Sequence, residues 1–327
     1  MTSSPNAGSR GQSMSASSFC NWLKYRHLVL IDTLGKTRNM HQASQQMSLS
    51  QPALSKMLKE IENLLGFEVF ERLPRSMMPT PLGERVLRYA QSVLNDAEGF
   101  VAEINSLKDG GHGHLRVGGI FAATSVILPR ALLEIKRRWP LLEIQVIEQT
   151  SVRLLEMLED KELDLAIGRF NEHSQRHHFD YTRLEPEAFC LAVNSQHPLL
   201  ATLNDSGAIE HLEELLAWPW LLYPQGTPIR ERMEQAFLEA RLPMPGNTIE
   251  TISMQTFLTL IMTSPIIGML PEAMVSAYVA RGEMTILQTP LNFTPQDFGI
   301  LTHKEKKLSS TAQEFLGILL HQAKESH

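Results

Sequence analysis

Through its first third this chain repeats apolar residues at helical spacing, and beyond residue 114 it alternates short apolar runs with amphipathic stretches. Leu23, His27/Leu28, Leu30/Ile31 and Leu34 predict a helix over 22–34, and Met40, Ala43 and Met47 a short second one over 38–47. The stretch SLS then makes a tight connection, with Ser50 as N-cap and Pro52 in the first turn, where a missing N–H costs nothing. In this third helix Leu54, Met57, Leu58, Ile61, Leu64 and Leu65 form the buried stripe, which leaves Gln51, Ser55, Lys56, Lys59 and Asn63 on the opposite face. The segment FEVFERLPRSMMPTPLG, 67–83, reads as two short extended pieces around a Pro/Arg/Ser tip.

Next comes a long helix in which Leu87, Ala90, Leu94, Ala97, Val101 and Ile104 alternate spacings of three and four, with Val86, Val93, Phe100 and Leu107 seven apart beside them. That heptad stripe runs over a helix of roughly 35 Å and calls for a partner helix. GGHGH, 110–114, is expected to end it as a hinge. From Leu115 onward LRVGGI, LEIQVIEQ and DLAIGRF read as strands separated by helices, a βαβαβ pattern that implies a parallel sheet covered on both faces. A second strand and helix series follows 171–183, and the chain returns through FGILTH to a last helix.

Composition and charge narrow the function. The chain has 327 residues, with 43% hydrophobic and 20% charged content, as in a globular protein of two or three domains. No apolar run reaches the roughly 18 residues of a membrane span, and the Ser/Gly-rich start carries no export signal, so a disordered leader and a cytoplasmic location are expected. The net charge of −6 is unevenly spread: residues 1–90 carry 11 Lys+Arg against 6 Asp+Glu, so the remainder is strongly acidic. A basic front on an acidic body fits a polyanion-binding module. Cys20 and Cys190 read as plain thiols. His112, His114, His173, His177 and His178 show no carboxylate or thiol partner at metal spacing and are read as solvated loop residues, with no metal and no cofactor.

Three short helices followed by a two-stranded wing describe a winged helix-turn-helix, whose last helix offers its first turn to the major groove. Gln51 is suited to adenine, Ser55 to either base type, Pro52 carbons to a thymine methyl, and Lys56 to phosphate or guanine. Arg72 and Arg75 would reach the backbone beside the groove. The motif SQPALS at 50–55, followed by Ile61-Glu62, Leu65-Gly66, Phe70, Arg72, Thr80 and Gly83, resembles the DNA-binding domain of LysR-type transcriptional regulators. Arg38 stands where that family usually has a glycine, Ser44 replaces the second alanine of a pair, and Val69 replaces a leucine. The expected DNA-facing set is Arg38, Ser50, Gln51, Pro52, Ser55, Lys56, Lys59, Arg72 and Arg75.

The later stretches LPRAL, DLAIG and GMLPE resemble the effector-binding domain of the same family, which is similar to periplasmic solute-binding proteins. The resemblance implies an α/β fold class: an N-terminal winged helix-turn-helix rich in α structure, a long linker helix, then two Rossmann-like subdomains of periplasmic-binding-protein type II architecture. The expected division is a leader over 1–21, DNA-binding domain over 22–83, dimerisation helix over 84–109 and effector domain over 114–327. Within the last, subdomain I takes about 114–183 and 292–327, and subdomain II about 184–291.

Ligands of such sheets bind at the strand carboxyl ends. The expected effector set is therefore Phe121, Ala122, Thr124 and Ser125 in a loop over 121–125 that leads into a helix, with Thr150, Ser151, Gln225, Gly226, Thr227, Ser253 and Met269. Where the family often has hydroxyl residues this chain has Ile120, Phe121, Ala122 and Ala123, which points away from an inorganic anion and leaves organic acids, aromatic acids and sugars. Expected partners are double-stranded DNA, such an effector, and further copies of the chain, as dimers through the linker helix and tetramers through the bodies. An enzyme is the alternative, yet the chain has no GxSxG, GxxxxGK[ST], HExxH or strand-following GxGxxG. A plain solute-binding protein would leave residues 24–83 without a role.

Overall fold

The computed structural model describes residues 19, 21–73, 76–108, 113–170, 176–203, 208–209, 211–291, 293 and 296–325; the expected leader before them, most of the expected hinge, Arg75, His112 and His173 lie outside the described residues. The chain divides into two compact units, Met1–Ala102 and Glu103–His327.

In the first unit α1 (Tyr25–Thr37), α2 (Met40–Gln46) and α3 (Gln51–Leu65) precede a hairpin of β1 (Phe70–Leu73) and β2 (Ser76–Pro79), after which α4 (Pro81–Lys108) begins. Leu30, Ile31, Leu34, Leu54, Leu58 and Ile61 are fully buried in one core, which Leu87, Ala90 and Leu94 of α4 join. Helix ends follow local chemistry. Asn39 caps α2 through His41 and Gln42 N–H, Ser50 caps α3 through Ala53 N–H, and Gly66 ends α3 at φ 78. Arg38, at the α1 C-cap, has φ 50, a left-handed conformation that a glycine would adopt without strain.

The hairpin is fixed to the helices by polar contacts. Glu62 Oε1 accepts from Val69 N–H at 2.9 Å, and Thr80 Oγ1 donates to Glu68 carbonyl at 2.8 Å while accepting from Gly83 N–H at 2.9 Å. Gly83 is required here: a Cβ would stand 1.9 Å from the Val69 carbonyl oxygen.

The second unit has two five-stranded sheets. The first has the order β4-β3-β5-β12-β6, built from β3 (His114–Gly119), β4 (Glu143–Glu148), β5 (Leu165–Gly168), β6 (Phe179–Glu187) and β12 (Gln296–His303). Its β3, β4 and β5 are parallel, and β12 runs antiparallel between β5 and β6. Helices α5 (Leu128–Arg138), α6 (Ser151–Glu159) and α10 (Ser310–Glu325) accompany this sheet. The second sheet, β11-β7-β10-β8-β9, comprises β7 (Phe189–Asn194), β8 (Trp220–Leu222), β9 (Thr248–Glu250), β10 (Ile267–Pro271) and β11 (Met284–Ile286). With it come α7 (Pro228–Glu239), α8 (Met254–Thr263) and α9 (Glu272–Ala280). The chain crosses between the sheets from β6 to β7 and back from β11 to β12.

One local expectation is corrected. Residues 121–125 were expected as a loop leading into α5, but Phe121 and Ala122 are already helical and Ala123–Ile127 form a wide π turn. Ala123 and Thr124 N–H both bond Ile120 carbonyl, and the wide turn brings the Thr124 hydroxyl to the Glu148 carboxylate.

Candidate nucleic-acid interface and ligand cavity

On the first unit Gln51, Pro52, Lys56 and Lys59 are exposed along one side of α3, Ser55 is half-buried among them, and Ser50 stands at the cap. The wing adds a cation, since Arg72 Nη2 donates to Ser55 Oγ at 3.3 Å. Gln51, Pro52, Ser55 and Arg72 line a concave surface of about 560 Å³ with Asn39, Met40, His41, Leu73, Ser76 and Met77. Arg38 is exposed at the end of α1, and its carbonyl accepts from Met77 N–H at 2.8 Å, so it stands beside the wing. His41, on the exposed start of α2 and 3.2 Å from Gln45 Nε2, escaped sequence reasoning because a short polar helix carries little periodic signal.

In the second unit the ends of β3, β4, β5 and β6 meet residues of the second sheet around a cavity of about 70 Å³, room for about five waters. Ile120, Phe121, Ala122, Glu148, Gln149, Thr150, Ser151, Arg169 and Glu187 form one side; Tyr223, Thr227, Pro228, Ile229, Ile252, Met254 and Pro271 form the other. Five expected residues thus line it: Phe121, Ala122, Thr150, Ser151 and Thr227. Thr124 lies one turn behind without lining the wall and bonds the wall residues Glu148 and Phe121 through its hydroxyl, while Ser125 Oγ donates to Ala122 carbonyl at 3.3 Å. Gln225 and Gly226 form the turn before Thr227 without lining the cavity, and Ser253 caps α8 between two lining residues. Met269 is buried in the sheet core; Pro271, two residues on, reaches the wall.

The central polar feature is one that sequence reasoning missed. Arg169 is 3% exposed, donates from Nη2 to the Glu187 carboxylate, and lies over the rings of Phe189 and Phe298 at 5.6 and 5.4 Å. Its backbone N–H donates to Ser151 Oγ at 3.0 Å, and its Nε is buried without an acceptor among the described residues. Burial pushes the Glu187 carboxyl up, and the Arg169 charge and hydrogen bond pull it partly back. Burial likewise raises the Tyr223 phenol. The available signal was an arginine closing the apolar run DLAIG, a charge at the end of a buried strand. Chemically the site offers two carboxylates, one guanidinium with a spare donor, several hydroxyls and apolar walls, which suits binding.

Comparisons with known proteins cover both units. The family model described as bacterial regulatory helix-turn-helix protein, lysR family, matches residues 25–84, and that described as LysR substrate binding domain matches residues 108–324. The HTH-type transcriptional regulator GbpR of Azospirillum brasilense is 30% identical over 304 residues, which cover 91% of this chain and 88% of that protein. Full-length CbnR, a LysR family transcriptional regulator, has a similar fold with TM-score 0.62 and 19% identity over 92% of this chain and 99% of that one. In complex with its target DNA, CbnR aligns at TM-score 0.59 and 18% identity over 92% and 100% of the two chains. The effector binding domain of QuiR in complex with shikimate aligns with TM-score 0.54 and 16% identity over 66% of this chain and 99% of that domain.

Proposed function

This chain belongs to the LysR family of bacterial transcriptional regulators, and from that premise we propose which residues read DNA and what kind of molecule the cavity takes. The winged helix-turn-helix reads an operator through Gln51, Pro52, Ser55 and Lys56 at base edges, with Arg38, Lys59 and Arg72 on phosphates and Ser50 holding the helix start. The observation that carries this reading is the polar, exposed first turn of α3 set in a concave surface beside Arg72. The protein acts by binding rather than turnover, in the cytoplasm where its DNA lies, with residues 22–83 as the reading domain, 84–109 as the dimerisation helix and 114–327 as the sensing domain.

For the cavity we propose a small, uncharged, hydroxyl-rich effector of the sugar type. Arg169 Nε asks for an acceptor, whereas Glu148 and Glu187 ask for donors, and a hydroxyl is both. An inorganic anion would meet two carboxylates and a guanidinium already held by one of them. Binding there favours one arrangement of the two sheets over others, and by linkage changes DNA affinity.

A mobility-shift titration against the DNA upstream of the regulator's own gene tests the reading. Gln51→Ala is expected to relax base preference by about 1–3 kcal/mol, and Lys59→Ala to weaken all sequences and flatten the salt dependence by about one phosphate contact. Absence of binding at low salt, or indifference to both substitutions, would remove the assignment. For the cavity, a hydroxylated effector should raise Tm in the parent protein and fail to do so in Thr227→Val.

A further inference from the structure

We infer that Glu159, His178 and His303 form a binding site for a divalent transition-metal ion of the Zn2+ type, on the second unit and away from the ligand cavity. Sequence spacing gives no hint of it, because the three residues are far apart in the chain; His178 was expected to be a solvated loop residue without a carboxylate partner. The fold supplies that partner. Glu159 closes α6, His178 directly precedes β6 and His303 ends β12, where the β6 and β12 ladder pairs Phe179 with His303.

His178 Nδ1 lies 2.5 Å from Glu159 Oε1, and His303 Nε2 lies 3.4 Å from Glu159 Oε2. The three ligand atoms all fall within 4.8 Å of one another, and all three residues are half-buried. Ligands at about 2.0–2.2 Å from a tetrahedral ion stand about 3.4 Å apart, so a small rotation of the Glu159 carboxylate opens the space needed. Two imidazoles and one carboxylate suit Zn2+, Co2+ or Ni2+; Ca2+ and Mg2+ require mostly oxygen donors. Three protein ligands leave the fourth position to water.

The ring protons set the cost of binding. Glu305 N–H donates to His303 Nδ1 at 3.2 Å, which puts that ring's proton on Nε2 toward Glu159. An ion taking Nε2 moves this proton to Nδ1 and turns the Glu305 N–H to solvent, which its exposed turn permits. His178 makes the matching exchange from Nδ1 to Nε2.

The position gives the ion a role. Strand β6 runs from beside His178 to Glu187 in the cavity wall, a distance of roughly 25–30 Å. Helix α6, packed on β5 and β12, runs from Ser151 in the wall to Glu159. A bound ion therefore ties together the distal ends of two elements whose other ends build the cavity.

The test uses the full-length protein, freed of any tag and dialysed against chelator, in equilibrium dialysis with Zn2+ and in titration with Co2+ followed by its visible absorption bands. Expected are saturable binding of one ion per chain, Co2+ bands typical of mixed nitrogen and oxygen ligation, and a rise in Tm with Zn2+. His178→Ala, His303→Ala and Glu159→Gln should each lower Zn2+ affinity by more than the ~10–100-fold that loss of an outer-shell partner costs, with circular dichroism unchanged. Absence of saturable binding, or binding undiminished in both histidine variants, overturns the proposal. Neither effector nor DNA enters these measurements, and Thr227→Val should keep full metal binding, so the outcome is independent of the cavity reading.

Discussion

A single backbone angle shows how a residue can serve two masters. Arg38 holds φ 50, a left-handed conformation that costs a side-chain-bearing residue about 1–2 kcal/mol. Glycine would remove that strain but give back about 0.5–1 kcal/mol through the freedom it adds to the unfolded chain. Arg38→Gly should therefore stabilise the protein by roughly 0.5–1 kcal/mol in denaturant unfolding while weakening DNA binding and its salt dependence. Unchanged DNA affinity would show that the arginine does not face phosphate. The Arg169 and Glu187 pair shows the opposite economy, because both charges are buried and each depends on the other. Arg169→Met should cost about 3–5 kcal/mol, and the double change Arg169→Met, Glu187→Leu should recover much of it, since neither charge is then left stranded. Equal losses in single and double variants would mean that packing under Phe189 and Phe298 dominates.

Among the elements, α10 and α5 illustrate a packing contact that is also a proton-linked one. Trp139 Nε1 donates to Glu314 at 2.6 Å and Arg138 Nη1 at 3.1 Å. The Trp139 hydrogen bond first, and the Arg138 one second, hold the Glu314 carboxyl below its ordinary value of 4.5. A depressed carboxylate contributes stability that is full above the unfolded value and is lost as pH falls through the lower folded one. The unfolding midpoint of the parent protein should thus fall more steeply below pH 4.5 than that of Glu314→Gln, and parallel acid limbs would refute the link. The wing obeys a similar logic without charge: Thr80 and Gly83 hold β2 and α4 against Val69, which is the physical content of the threonine and glycine at those places in the motif.

For the whole molecule, the exposed apolar residues of α4 are the decisive feature. Leu87, Ala90 and Leu94 are buried, but Phe100 is 63% exposed and Val101 54% on the same helix further along. Exposed apolar residues at heptad spacing mark a contact surface, and the dimerisation proposed for this helix would cover it with another copy of itself. Sedimentation of Phe100→Asp should show a smaller species than the parent, and its operator affinity should fall because two half-sites are no longer bound together. A parent protein that sediments as a monomer would end this reading.

Sequence alone determined the helices of the first unit and the ends of α3, since helical periodicity, the Ser50 cap and the Gly66 stop arise from interactions within one or two turns. It also determined the family, because SQPALS and the spaced residues after it concentrate DNA chemistry and wing packing in one short segment. Tertiary structure alone decided which strand-end residues converge: Thr150, Ser151 and Thr227 reached the cavity wall, and Met269 stayed in the core. It also assembled Arg169 with Glu187 and Tyr223, and Glu159 with His178 and His303. Those groupings depend on strand order and register across two sheets, and long-range pairing leaves no periodic trace in the residues that it brings together.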